Sequence, residues 1–123
     1  DNIMPIFVVH RHEASHLHWD LRLSMNGVLK SWAVPKEPPR IKGIKRLAIQ
    51  VDDHELSYAK FEGEIEEGYG KGVVEIWDNG TYKLIDKTPD KIVVEFDGKC
   101  LKGKYVLLNL PKAGKKSWLF FKV

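Results

Sequence analysis

The chain has 123 residues, of which 43% are hydrophobic and 30% charged, and a formal net charge of +3 at pH 7. This length and balance predict one globular domain over residues 1–123. The sequence contains no run of 18 apolar residues, which excludes a transmembrane helix, and we expect no signal peptide. Its single cysteine, Cys100, excludes an internal disulfide bond. One unpaired cysteine fits a reducing compartment, so we expect a cytoplasmic protein that does not bind membranes.

Strand patterns dominate the chain from beginning to end. Strands are predicted at IFVVHRH (6–12), HLHWDLRLSM (16–25), VLKSWAV (28–34), RLAIQVDD (46–53), GVVEIWD (72–78), TYKLI (81–85), KIVVEF (91–96), KYVLLNL (104–110) and SWLFFKV (117–123). Hairpin turns are expected at Asn26-Gly27, Asp78-Asn79-Gly80 and Asp97-Gly98-Lys99. Residues 36–43 (KEPPRIKG) are typical of a loop, and the only helical pattern is one turn at ELSYAKF.

Short strands separated by turns predict an all-β sandwich or barrel. A barrel is the more economical of the two, because closure of the sheet removes exposed strand edges. We therefore expect a compact single-domain β-barrel with short connecting turns and at most minor helix.

The second predicted strand alternates polar and apolar residues, and alternate side chains of a strand face the same side. The row assigned to the core contains Leu17, Trp19, Leu21 and Leu23, and the opposite row contains His16, His18, Asp20 and Arg22. Three further tryptophans, Trp32, Trp77 and Trp118, are also expected in the core.

Ionisable groups in the polar row lie roughly 6–7 Å apart along the strand and can converge on one ion. Imidazole and carboxylate groups are suitable ligands for manganese, zinc or ferrous iron. Either His10 or His12 on the preceding strand could complete a set of two histidines and one carboxylate with His18 and Asp20. Spacing alone leaves this reading and that of unliganded surface histidines equally open.

Arg22 indicates which kind of metal site this would be. A guanidinium two residues beyond a ligand competes with the cation unless an anion lies between them, and arginine binds phosphate well. A basic cluster follows in the sequence, at Lys30, Lys36, Arg40, Lys42, Lys45 and Arg46. Such a cluster alone is more typical of a solvated loop. Beside a metal and Arg22, it indicates a phosphoesterase in which the cation polarises a P–O bond.

At this point FVVHRHEASHLHWDLRL, GVLKSWAVPK, RLAIQVDDHELSYAKFEG and YGKGVVEIWDNGTY resemble the phosphoesterase domain of bacterial DNA ligase D and its stand-alone relatives. The resemblance runs from about Phe7 to the last strand. It implies a compact β-barrel whose active site occupies an open basic groove. It also implies a manganese enzyme that removes a 3′-terminal ribonucleoside, and then the 3′-phosphate, from a DNA or RNA primer strand. Other divalent transition metals are possible cofactors.

Carried over residue by residue, the resemblance assigns His12, His18 and Asp20 to the metal. It places Arg22, Lys36 and Arg46 around the phosphate, with His54 and Tyr58 opposite the metal. Arg22, His54 and Tyr58 are the expected catalytic residues. His10 and His16 have no role that the resemblance supplies, and we expect them on the surface or, at most, in contact with the DNA backbone.

His54 ends a predicted strand, and Tyr58 lies four residues further on, so one helical turn would bring the two side chains together. His54 could donate to a phosphate oxygen or protonate the leaving oxygen, and Tyr58 could donate a hydrogen bond to the phosphate. Without the resemblance, an isolated histidine and tyrosine are more often structural.

The expected substrates are DNA or mixed DNA/RNA primer–template 3′ ends. The sequence contains no Lys-x-Asp-Gly nucleotidyltransferase motif. A stand-alone enzyme would therefore find nicked or gapped ends by itself, or through a separate ligase, polymerase or end-binding protein.

Two other functions fit parts of the pattern. A ferrous oxygenase could use His18, Asp20 and His54 as a facial triad. A non-catalytic barrel could bind DNA ends through the basic residues alone. Residues 68–72 (GYGKG) lack the serine or threonine of a phosphate-binding loop and are predicted to be a turn between strands. Cys100 is expected in a strand and is not predicted to be a nucleophile.

Overall fold

The computed structural model describes residues 4–68 and 70–123. Nine strands lie in these ranges: β1 (Ile6–Glu13), β2 (Leu17–Met25), β3 (Val28–Val34), β4 (Lys45–His54), β5 (Gly63–Ile65), β6 (Gly72–Thr88), β7 (Lys91–Asp97), β8 (Lys102–Asn109) and β9 (Ser117–Lys122). The only helical segments in the described ranges are two 3₁₀ turns, at Leu56–Lys60 and Pro111–Ala113. No helix there is long and apolar enough to cross a bilayer.

The strands form one antiparallel sheet in the order β1-β2-β3-β4-β9-β8-β7-β6, and β6 pairs back onto β1. This last pairing closes the sheet, so that eight strands make a barrel. The short strand β5 lies outside the ring and pairs with the beginning of β6. The predicted all-β, single-domain barrel is therefore confirmed, and the predicted helical turn is the 3₁₀ turn Leu56–Lys60.

The barrel interior is filled by apolar and aromatic side chains around Phe96. The Phe96 ring lies 4.5 Å from Phe7 and 5.2 Å from Tyr105, measured between ring centroids. Trp19, Leu21, Leu23, Trp32 and Trp118 are buried in the same core, as the sequence predicted, and Trp77 packs against it while partly exposed. The assignment of Leu17 to the core is wrong, because Leu17 is the first residue of β2 and is 40% exposed at the end of the strand.

Two of the predicted hairpin turns are confirmed. Asn26 and Gly27 join β2 to β3 with φ values of 54° and 82°, the backbone that a tight hairpin requires. Residues 98–101, after Asp97, connect β7 to β8.

The third predicted turn, Asp78-Asn79-Gly80, is wrong, because β6 runs through it without a break. The Asp78 carboxylate is buried and accepts hydrogen bonds from the backbone N–H groups of Lys99, Cys100 and Leu101 at 2.9, 3.1 and 2.8 Å. A Cβ atom at Gly80 would overlap the carbonyl oxygen of Asp97 on the neighbouring strand. In Asp78-Asn79-Gly80, therefore, the aspartate holds the turn between β7 and β8, and the glycine allows β6 to approach Asp97 closely.

A second, smaller apolar cluster lies on the outside of the barrel. Its members come from β1, β3, β6 and the first 3₁₀ turn: Val8, Leu29, Ala59, Tyr58 and Ile76. The 3₁₀ turn thus covers part of the outer face, and polar side chains next to it are buried although they point away from the barrel interior. This covered outer face contains the candidate site.

Candidate metal and phosphate site

Three side chains on the outer face of β1 and β2 form a compact group of potential metal ligands. His12 and His18 are direct partners in the β1–β2 pairing, and Asp20 lies two residues beyond His18 on the same face. One ligand atom from each residue lies within 4.8 Å of the others. His12 and Asp20 are buried and His18 is half-buried. The structure brings together the three residues that the resemblance assigned to the metal.

Backbone contacts orient both imidazole rings. His12 Nε2 donates to the carbonyl oxygen of Gly70 at 2.6 Å, and His18 Nδ1 donates to that of His16 at 3.1 Å. The remaining nitrogens, His12 Nδ1 and His18 Nε2, lie 3.6 and 3.2 Å from the carboxylate of Asp20. Histidines that bind metals commonly donate their other nitrogen in this way. Two oriented nitrogens and a carboxylate suit a divalent transition metal.

The electrostatics of the ligand group also favour binding of a cation. Burial would raise the pKa of Asp20, but the hydrogen bond from His18 and the positive charge of Arg22 bring it below its ordinary value. The same hydrogen bond to Asp20 raises the pKa of His18. The His18–Asp20 pair thus favours positive charge next to the carboxylate, and a bound metal would supply it.

Arg22 is 4% exposed and lies directly beside the ligand group. Its Nη2 donates to Asp20 Oδ2 at 3.3 Å, its Nη1 to Ser31 Oγ at 2.8 Å and its Nε to His10 Nδ1 at 3.1 Å. The guanidinium therefore contacts the carboxylate directly. These three bonds use three of its five N–H groups and leave two for an anion.

The surface assignment of His10 is wrong, whereas His16 is exposed as expected. His10 is fully buried because the chain after the 3₁₀ turn covers it, and its Nε2 lies 3.1 Å from the carbonyl oxygen of Phe61. Burial, followed by the nearby charge of Arg22, lowers the pKa of His10 to about 4. Its ring is therefore neutral at physiological pH.

His54 and Tyr58 come together as predicted. Their rings stack at 4.3 Å between centroids, and the guanidinium carbon of Arg22 lies 5.0 Å from the centre of the Tyr58 ring. Burial and the charge of Arg22 lower the pKa of His54, and burial raises the pKa of Tyr58. Both rings are thus neutral near pH 7 and able to donate hydrogen bonds.

The ligand group, Arg22, His54 and Tyr58 line one cavity of about 1100 Å³. Lys36 and Arg46 do not line this cavity. Lys36 is exposed in the loop after β3, and the Arg46 Nε donates to the carbonyl oxygen of Glu37 at 2.9 Å. Their assignment to the phosphate remains a prediction.

The cavity has more acidic than basic side chains in its described lining, whereas the resemblance implied a basic groove. The charged residues of the described lining are four carboxylates and two basic side chains: Glu13, Asp20, Asp52, Asp53, Arg22 and Lys71. Lys30, from the predicted basic cluster, pairs with Asp53 at 3.2 Å. Positive charge in the described lining therefore comes from Arg22 and Lys71, and a bound metal would add to it.

Two residues that support the site were missed in the sequence. Ser31 pairs with Arg22 across β2 and β3, so strand register could have identified it. Gly70 orients His12 through its carbonyl oxygen, and no side-chain pattern reveals such a contact. The turn predicted at residues 68–72 is supported by a 3.3 Å backbone bond from Lys71 to Gly68, but Tyr69 lies outside the described residues.

The ligand group also bears on the ferrous-oxygenase alternative. Among the described residues, the third ligand beside His18 and Asp20 is His12, and His54 is not part of the group. His54 instead stacks on Tyr58, whose ring Arg22 contacts. This arrangement favours phosphate chemistry.

Comparison with known proteins identifies a family to which the chain is similar. The family described as DNA Ligase D 3′-phosphoesterase domain matches residues 10–109. The multifunctional non-homologous end joining protein LigD of Pseudomonas aeruginosa is 43% identical over 120 residues, which cover 93% of this chain and 14% of that protein. The LigD protein of Mycobacterium bovis is 44% identical over 108 residues, which cover 84% of this chain and 14% of that protein. The LigD protein of Mycolicibacterium smegmatis is 38% identical over 125 residues, which cover 92% of this chain and 16% of that protein.

The chain spans only about 14–16% of the length of these curated relatives. The family match, in contrast, extends from β1 into the end of β8 and includes every candidate site residue. The chain belongs to the DNA ligase D 3′-phosphoesterase domain family.

Proposed function

We propose that this chain is a divalent-metal-dependent phosphoesterase that processes DNA 3′ ends. The observation that carries the proposal is the placement of His12, His18 and Asp20 beside Arg22 in one cavity. Membership of the 3′-phosphoesterase family supports the reaction class. Similarity to proteins named for non-homologous end joining supports a role in end processing during that repair pathway.

We propose manganese as the cofactor, held by His12, His18 and Asp20, with other divalent transition metals able to substitute. The mixed nitrogen and oxygen ligand set suits manganese, although affinity alone would favour zinc or copper. A divalent ion bound there supplies a Lewis acid that polarises a phosphoryl oxygen.

The remaining residues would hold and neutralise the phosphate. Arg22 has two N–H groups beyond its three internal hydrogen bonds, and they can donate to phosphate oxygens as negative charge develops. Tyr58 keeps its phenol proton because burial raises its pKa, so it donates and does not repel the phosphate. Lys36 and Arg46 are proposed as further phosphate contacts from the adjoining loop and strand.

His54 is the proposed donor to a phosphate oxygen or to the leaving oxygen. Its lowered pKa leaves the ring mainly neutral near pH 7, so its N–H donates a hydrogen bond, and only the minor imidazolium form can transfer a proton to the leaving oxygen. The stacked Tyr58 ring fixes the plane of the imidazole. Arg22, next to Tyr58, places positive charge near the same point.

The proposed substrate is a DNA or mixed DNA/RNA primer–template 3′ end, from which the enzyme removes a terminal ribonucleoside, a 3′-phosphate or both. The proposed contacts in this site are all to phosphate groups. We therefore expect the enzyme to recognise the nucleic-acid backbone and the strand end, without preference for a base sequence. A ligase, a polymerase or an end-binding protein would deliver or seal the processed ends.

The decisive experiment uses a labelled primer–template that ends either in one ribonucleotide or in a 3′-phosphate. We expect hydrolysis with manganese under anaerobic conditions, no hydrolysis after chelation, and recovery when manganese is restored. Anaerobic turnover excludes an oxygenase. End binding without hydrolysis under all metal conditions would overturn the proposal in favour of a non-catalytic DNA-end-binding barrel.

A further inference from the structure

We infer that His10 is a positioning residue that fixes the guanidinium of Arg22 and ties it to the segment carrying Tyr58. The inference rests on the proposed role of Arg22 at the phosphate and extends it to a residue outside the cavity. His10 is fully buried, yet it belongs neither to the ligand group nor to the described cavity lining. A buried polar ring of this kind requires hydrogen-bond partners.

Both ring nitrogens of His10 have partners, and the two partners require one tautomer. Arg22 Nε can only donate, so His10 Nδ1 accepts this bond at 3.1 Å and carries no hydrogen. The carbonyl oxygen of Phe61 can only accept, so His10 Nε2 carries the hydrogen and donates at 3.1 Å. The neutral ring with its hydrogen on Nε2 satisfies both contacts.

The bond from Arg22 to His10 completes the orientation of the guanidinium. Ser31 accepts from Nη1 and Asp20 from Nη2, so these contacts hold the two outer nitrogens. His10 holds Nε, on the opposite edge of the same plane. Partners on three nitrogens leave the plane no freedom to rotate, and the two remaining N–H groups have a defined direction.

The bond to Phe61 connects this arrangement to the aromatic rings of the site. The Phe61 ring stacks on Tyr58 at 5.0 Å and the Tyr58 ring stacks on His54 at 4.3 Å, measured between centroids. The His10 ring also meets the Tyr58 ring edge-on at 5.2 Å. One buried imidazole thus sets the position of Arg22 relative to both proposed hydrogen-bond donors.

Three substitutions separate the two contacts. His10→Asn keeps an amide oxygen near the Nδ1 position for Arg22 but does not reach Phe61. His10→Gln places its amide near the Nε2 position, where it can keep the contact with Phe61. His10→Leu removes both contacts, and Val9→Ala is a matched control because Val9 is fully buried on the same strand but faces the barrel core, on the opposite side from Arg22.

The activity measurement is single-turnover hydrolysis of a 3′-phosphate with saturating manganese, with primer–template binding and thermal denaturation on the same preparations. We expect His10→Leu to lower the rate on the order of 10–100-fold, as other supporting residues do, with much less effect on binding. His10→Asn should recover more of the rate than His10→Gln. Val9→Ala should lower thermal stability without lowering the rate of the folded enzyme. Equal rates in all four variants and the wild type would overturn the inference.

A nuclear magnetic resonance measurement on the metal-free wild type tests the inference independently of activity. We expect a protonated Nε2 and an unprotonated Nδ1 on His10, and a slowly exchanging Nε–H on Arg22 that His10→Asn retains and His10→Gln loses. The opposite tautomer, or the same exchange rate in every variant, would overturn the positioning role. If the wild type lacks phosphoesterase activity but shows these signals, the proposed function fails and the positioning of Arg22 stands.

Discussion

Strand β2 carries two rows of side chains that are both buried but by different means. The inner row, with Trp19, Leu21 and Leu23, is covered by the rest of the barrel. The outer row, with Asp20 and Arg22, is covered by neighbouring strands and the 3₁₀ turn. The inner row gains stability from lost contact with water. The outer row must instead satisfy each buried charge with a partner, which requires specific neighbours.

This difference predicts that substitutions in the two rows have different consequences. A change in the inner row should lower stability without changing the chemistry of the molecules that remain folded. A change in the outer row should lower activity by much more than it lowers stability. Adjacent positions on one strand make this test sharp, since the backbone is shared.

The largest effect is expected at Asp20. Asp20→Ala removes the only carboxylate of the ligand group, so hydrolysis should fall by more than about 10³-fold, while the barrel still folds because Asp20 points away from its interior. Activity and the circular dichroism spectrum should be measured together across a manganese titration. Asp20→Asn is the matched variant, because it keeps the shape of the side chain and a neutral partner for Arg22.

Near-normal activity in Asp20→Ala would show that the metal assignment is wrong. Loss of the folded spectrum in both Asp20 variants would instead show that the carboxylate is required chiefly as the buried partner of Arg22 and His18.

A smaller effect is expected at His54. If His54 donates to charge that develops in the transition state, His54→Ala should lower turnover on the order of 10²–10³-fold and leave manganese and primer–template binding nearly unchanged. The measurement is single-turnover hydrolysis beside a binding titration. Loss of DNA binding with intact turnover of the bound substrate would show that His54 only holds the strand.

Substitutions in the inner row should lower stability and leave activity unchanged. Leu21 is fully buried, and Leu21→Ala should lower the free energy of unfolding by about 2–5 kcal/mol through lost burial and the cavity left behind. Denaturant unfolding measures this change, and activity per folded molecule should equal that of the wild type. A loss of activity at temperatures where the variant is fully folded would contradict the separation of the two rows.

The sequence was sufficient to predict the inner row and most of the barrel. Alternation along residues 17–23 follows directly from the geometry of a strand, and Asn26-Gly27 fits only a tight turn. The turn at residues 78–80 could not be excluded in the same way. Gly80 is required by the close approach of Asp97, a residue on another strand, and local patterns contain no information about that distance.

The outer row was predictable only in part, because its surroundings also depend on contacts between residues that are distant in the sequence. The spacing of His18 and Asp20 indicates shared ligation, but it does not show which earlier histidine completes the group. The resemblance to a family supplied His12. His10 looked equivalent, and its burial depends on a segment more than 50 residues away that places Phe61 over it. Such coverage is a property of the fold and leaves no periodic pattern.

The smallest expected effect concerns a polar group within the inner region. The Tyr82 hydroxyl donates to the carbonyl oxygen of Ser24 at 2.6 Å, and burial raises the pKa of Tyr82 to about 12. Because this value lies above the ordinary pKa near 10, Tyr82 contributes stability that is fully present below pH 10 and is lost as the pH rises toward 12. Tyr82→Phe removes the hydrogen bond together with the titrating group.

At pH 7, Tyr82→Phe should therefore lower the free energy of unfolding by about 1 kcal/mol, the usual contribution of one hydrogen bond. Between pH 10 and 12 this deficit should shrink, because the wild type alone must keep a phenol protonated against rising pH. Urea unfolding of both proteins at pH 7 and pH 11 measures the change, and titration of the lysines cancels in the difference. A deficit that stays constant over this range would mean that Tyr82 ionises as readily in the folded chain as in the unfolded one, and that the inner region does not exclude charge at this position.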